Sequence, residues 1–229
     1  MKIKIVLLFV VTLFVASVIS IAQTACLTYD VKRNIVRDNV AVTTLNYSAY
    51  LFSNGNTSAF FMTPRFDAIQ QQGFVLVPGS EGKTEVFSTA PKQSIKLLNL
   101  DTLTLKYRQD LIGDMGKNFW AKIELPLYEW TISDESKTDQ GVLLQKATLH
   151  NLNNQLLCEV WFAPEISYQF APNGFFNLPG MVFEMNLISV NTVYKLTGYQ
   201  LDCEIPLESF SPVEFKEPFE FRGTFRKQK

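Results

Sequence analysis

From residue 27 to residue 201 the chain repeats one pattern: short runs of β-branched and aromatic residues in which apolar and polar side chains alternate with a period of two. Few folds accept that. A period of two sends successive side chains to opposite faces, so each run can bury one face, and runs divided by turn residues build antiparallel sheet. Strands are read over 27–33, 41–52, 58–62, 74–77, 84–88 and 94–99, with Asn54-Gly55-Asn56 and Pro78-Gly79-Ser80 as punctuation. The second half continues with 103–108, 118–125, 128–133, 142–150, 155–163, 181–189 and 193–201. One short helix is expected at 67–72. No linker, repeat or low-complexity stretch interrupts the succession. Residues 23–229 are therefore expected to form a single all-β domain, an antiparallel meander sheet, open or a half-barrel, with at most one or two short helices.

Residues 1–22 lie outside that pattern. Lys2 and Lys4 precede an apolar run, and Ser20 and Ala22 put small residues at the two positions a signal peptidase reads, so a cleaved signal peptide and export are expected. As an uncleaved anchor the run is short for a bilayer. Lipidation at Cys26 is disfavoured, because Gln23 stands where a bacterial lipobox has an aliphatic residue. Without Lys2 and Lys4 the formal charge moves from 21 − 22 = −1 to 19 − 22 = −3, which argues against a nucleic-acid ligand.

Three cysteines, Cys26, Cys158 and Cys203, remain for an oxidising compartment. One disulfide is open to them, with Cys158 and Cys203 as the candidate pair. The competing reading keeps Cys158, set in Leu156-Leu157-Cys158-Glu159-Val160-Trp161, as a small buried thiol. The single histidine, His150, excludes any multi-histidine metal site, and no metal or cofactor is expected.

The residues with chemistry in them do not converge. Asp134, Glu135, Lys137 and Asp139 before Gly141 read as a solvated hairpin connection rather than a cation loop. Asp101, Asp110 and Asp114 have no spacing that fixes an acid and base pair. Trp120, Trp130 and Trp161 suit either core packing or stacking on a ligand. No catalytic motif is found, and the chain is expected not to be an enzyme.

The stretch 128–184 is more specific. Tyr128-Glu129-Trp130-Thr131-Ile132, Lys137, Gln145-Lys146-Ala147, Val160-Trp161-Phe162-Ala163-Pro164-Glu165-Ile166 and Asn177-Leu178-Pro179-Gly180-Met181-Val182 follow one another in order. In that order and spacing they resemble the GLPGLI family of exported Bacteroidota proteins. Leu144 replaces a family cysteine, Ala171-Pro172 replaces its Gly-Pro turn, and the name-giving motif reads NLPGMV. The resemblance implies an exported, β-rich periplasmic, outer-membrane-associated or secreted protein, and carries Trp130, Lys137, Lys146, Ala147, Trp161, Leu178, Pro179 and Gly180 as motif residues. Asp101-Thr102-Leu103 is similar to the glycosylation acceptor of exported proteins in that phylum.

Leu178-Pro179-Gly180 itself reads as a tight turn in which Gly180 supplies a positive φ. The following strand puts Met181, Phe183, Met185 and Leu187 on one face, either as core or as the lining of an apolar pocket. The irregular C-terminal run Phe210, Phe215, Phe219, Phe221 and Phe225 reads as a last strand or as a wrapping tail. Two functions follow: a carrier of an apolar ligand (lipid, peptide or lipoprotein) at the cell envelope, and a structural or accessory partner of an outer-membrane transport or assembly complex.

Overall fold

The structure, a computed structural model, describes residues 24–37, 40–65, 74–78, 84–88, 94–109, 119–124, 128–205, 207–210 and 218–219. The expected signal peptide and the helix expected at 67–72 lie outside them. Strands are β1 (Ala25–Arg37), β2 (Val40–Asn54), β3 (Thr57–Pro64), β4 (Phe74–Pro78), β5 (Thr84–Ser88), β6 (Ser94–Asn99) and β7 (Thr104–Gln109). They continue as β8 (Phe119–Glu124), β9 (Thr131–Asp139), β10 (Val142–His150), β11 (Leu156–Ala163), β12 (Met181–Leu187), β13 (Thr192–Leu201) and β14 (Pro218–Phe219). Twelve share one sheet in the order β14-β8-β7-β6-β3-β2-β1-β13-β12-β11-β10-β9. Its pairings are antiparallel apart from β14 on β8. The mainly β, antiparallel, open sheet that the alternation predicts is thus the architecture.

Two meanders make up this sheet, one from β1 out to β8 and one from β9 back to β13, and the β1–β13 pair welds them in the middle. The single continuous meander is corrected at β4 and β5, which pair only with each other. A strand has two edges, and those of β3 are taken by β2 and β6, so β4 and β5 stand outside the ladder.

Covalent reach forces the sheet to curl. Strands β8 and β9 stand ten positions apart in the order, roughly 48 Å on a flat sheet with strands about 4.8 Å apart. Yet Glu124 and Thr131 are joined by a segment that reaches at most about 25 Å. The concave side so formed is filled from within. The segment between β11 and β12 folds back as a small hairpin: Ala171 N–H donates to the Phe175 carbonyl at 2.8 Å and Asn177 N–H to the Gln169 carbonyl at 2.9 Å. A one-turn 3-10 segment at its tip, Pro172–Gly174, packs against β3 and β6. Tyr168, Phe170, Phe176 and Leu178 are buried in one cluster with Leu27, Tyr29, Leu51 and Phe60 from the sheet.

Cysteine pairing differs from the expectation. Cys26 is bonded to Cys203, with Cα atoms 6.1 Å apart, and Cys158 is a free, buried thiol. The register explains it. Ala25 opposes Leu201 and Cys26 opposes Gln200, so the start of β1 lies beside the chain leaving β13, whereas Cys158 sits mid-strand between β10 and β12. The bonded Cys26 sulfur is also not open to lipidation. Beyond Cys203 a 3-10 turn, Leu207–Phe210, packs on β3, and β14 lies at the far edge on β8; Phe215, Phe221 and Phe225 lie outside the described residues.

Candidate functional site

The motif residues fall into two groups. The first lies along a row of directly opposed, and therefore same-face, residues: Lys146, Trp161, Glu184, Lys195, Asp30, Ser48 and Thr63. Charges alternate along it. Lys137 Nζ is 2.6 Å from Glu184 Oε2 and 4.5 Å from the centre of the Trp161 ring. Lys195 Nζ approaches Glu184 Oε1 at 3.8 Å, and Lys146 Nζ stands 3.3 Å from Glu135 and 3.4 Å from Glu159. The Glu135 hydrogen bond, with Glu159 behind it, holds the Lys146 pKa above its usual value. Arg65 reaches back to Asp30 and donates to Ser48 Oγ at 2.7 Å. Every one of these pairs is partly or fully solvated and therefore weak singly; their joint effect is to give this row of the sheet, across both meanders, a polar outer face.

Ala147 belongs to the opposite face, where it opposes Val160 and is fully buried. Leu144, at the replaced family cysteine, is also fully buried.

The second group surrounds a shallow, open cleft of about 540 Å³ lined by Tyr128, Glu129, Trp130, Ile132, Gln169, Asn177, Leu178 and Pro179. Trp130 is anchored by its indole N–H, which donates to the Phe176 carbonyl at 2.9 Å, and by an edge contact with Phe175. Tyr128 packs tilted against Phe175 and edge-on against Phe176, with centroids 5.1 and 5.2 Å away, and burial pushes its phenol pKa up to about 12. Asn177 Nδ2 donates to the Tyr128 carbonyl. The floor of the cleft is therefore rigid aromatic packing, and its mouth lies at the start of β9.

Gly180 is needed for a different reason than the sequence suggests. Its φ is not positive; in this stretch Asn177 adopts the left-handed conformation, at φ 69°. A Cβ on Gly180 would instead strike the Ala163 carbonyl and stand 2.9 Å from the Phe162 ring, so only glycine lets the chain entering β12 pass β11 this closely. Met181, Phe183, Met185 and Leu187 are all buried in the core, and none lines the cleft.

The polar run 134–139 is corrected from a hairpin connection to strand β9. Charge on both faces suits an edge strand, and the reversal is made by two residues, Gln140 and Gly141, with φ of 51° and 80°. His150 is exposed at the end of β10. Asp101, Thr102 and Leu103 form the exposed β6–β7 turn. Asp110 and Asp114 lie outside the described residues, as does the Trp120 side chain.

One residue that holds the hairpin in place escaped the sequence. Lys96 in β6 is two residues from buried Leu98 and so shares its face. Its amine donates to Asn173 Oδ1 at 2.6 Å and to the Asn173 carbonyl at 3.0 Å, pinning the hairpin tip, and burial lowers its pKa to about 8. The Asn173-Gly174 dipeptide was the available signal for that turn. Among the described residues no group of three or more histidine, cysteine or carboxylate side chains is placed to hold a metal ion, and no helix is long and apolar enough to cross a membrane.

No protein-family profile matches the sequence, and no curated protein matches it. Among solved structures the chain is similar to PNGF-II in its P21 and C2 crystal forms, with TM-scores of 0.49 and 0.48 and 14% identity in both. These alignments cover 87% and 84% of this chain but 31% and 30% of PNGF-II, so the chain spans less than a third of that protein.

Proposed function

We propose that this chain is an exported, non-enzymatic envelope protein, a divergent relative of the GLPGLI proteins, that acts by binding a partner as an accessory component of an outer-membrane transport or assembly complex. One observation carries this reading: the concave face is occupied by the chain's own Tyr168, Phe170 and Phe176, while among the described residues an open cleft of mixed polar and apolar lining stands beside β9, formed in part by Trp130, Leu178 and Pro179. Export is supported by the basic and then apolar start and by the Cys26–Cys203 bond, which suits an oxidising compartment. Among the described residues Glu129 is the one carboxylate lining the cleft.

Carriage of a lipid or lipoprotein is the second reading. The curl of the sheet favours it, and it requires the hairpin at 168–177 to leave the concave face. Site-specific photo-crosslinking in the native envelope separates the two. A crosslinker at Ile132 should give a discrete protein adduct, and one at Val190, exposed on the β12–β13 turn, should give none. Lipid adducts alone, or equal adducts from both positions, would overturn the partner reading.

A further inference from the structure

We propose that the free edge of β9, together with the cleft at its start, is a strand-addition site for an extended basic segment of a partner protein carrying one large apolar residue. This rests on the partner-binding reading and adds its mode and chemistry. Strand β9 ends the sheet order, and among the described residues no strand pairs with its outer edge, so its outward backbone N–H and C=O groups are open to an added strand. At the head of that edge Ile132 is 45% exposed, and with Trp130 and Pro179 it offers an apolar seat next to the backbone an incoming strand would follow.

Charge selects the occupant. Glu129, Asp134 and Asp139 have no ion-pair partner among the described residues, whereas Lys137 and Lys146 are held by Glu184, Glu135 and Glu159. The uncompensated charge along the edge is negative. Edge charge ordinarily prevents strand pairing with copies of the same chain, and the same charge, being of one sign, accepts lysine or arginine and rejects acidic segments. The seat admits one large apolar side chain, because Ile132 is followed along the edge by polar residues only.

The test uses the full chain and two nine-residue peptides: lysine alternating with valine around a central phenylalanine, and its glutamate-for-lysine counterpart. Binding is read by hydrogen–deuterium exchange of the β9 amides and by tryptophan fluorescence. The lysine peptide should slow exchange along Thr131–Asp139, bind at least about tenfold more tightly than the glutamate peptide, and weaken with salt. Asp134→Lys with Asp139→Lys should invert that order, and the uncharged Ile132→Ser should weaken the lysine peptide about tenfold while exchange elsewhere stays native. Equal binding of both peptides, protection on a strand other than β9, or no binding of either would overturn the proposal. If peptide binding fails while Ile132 still crosslinks a protein in the envelope, strand addition is wrong and the partner reading stands; loss of both removes both.

Discussion

At the scale of single residues, two positions show that the same residue type serves for reasons a sequence does not display. Gly180 reads as a turn glycine, yet what it supplies is the absence of a Cβ against the Ala163 carbonyl. Gly180→Ala should lower stability by about 2–3 kcal/mol in chemical denaturation, because the obstacle is backbone that cannot rotate away. Pro179→Ala, at an exposed neighbour, should cost less than about 1 kcal/mol. Lys96 was invisible for a related reason: alternation gives its face but not what that face meets, and it meets Asn173, 77 residues away.

Lys96 also gives a pH signature. Its proton leaves near pH 8 in the fold and near the ordinary 10.5 in the unfolded chain. Between those values the unfolded state binds more protons, so this group makes stability rise with pH; below pH 8 both states are charged and the contribution is flat. Burial raises Cys158 from 9.0 to about 12 and raises Tyr29, Tyr168 and Tyr194 as well. Those groups keep their protons in the fold and so lower stability above about pH 9. The Lys96 contribution is isolated by subtraction. The stability difference between the native chain and Lys96→Met should grow in favour of the native chain by up to about 3 kcal/mol from pH 8 to 10.5. A pH-independent difference would show that the amine is solvated.

Elements were legible where packing is local. The strands of both meanders other than β9 follow from alternation and turn chemistry, and β5, β6 and β10 match the expected bounds. Strand β9 was misplaced, since an edge strand exposed on both faces has no alternation to read. The segment between β11 and β12 was missed as core because its burial depends on distant strands. It should behave as core nonetheless. The Ala171 and Asn177 amides should exchange as slowly as those of β12 and β13, and Phe170→Ala should cost about 3–5 kcal/mol. Exchange at the rate of a surface loop would restore the reading of an open concave face.

At the scale of the whole molecule, the non-local weld of β1 to β13 brings the N-terminal and C-terminal thirds of the described chain together, and no periodicity announces it. The disulfide follows from that weld rather than from cysteine spacing. Peptide mapping without reductant should recover Cys26 joined to Cys203, and Cys158 should react with a thiol reagent only after unfolding, because it is buried and its pKa stands near 12. Replacing Cys26 and Cys203 together by serine should cost about 2–5 kcal/mol, the range for a crosslink closing a long loop.

The functional account turns on whether the curled sheet is filled by its own hairpin or holds something else. Native mass spectrometry of the protein purified from its own host decides this most directly. The account predicts a chain carrying one internal disulfide and no apolar adduct, alone or with a protein partner. A stoichiometric lipid or lipoprotein bound to the chain would contradict it.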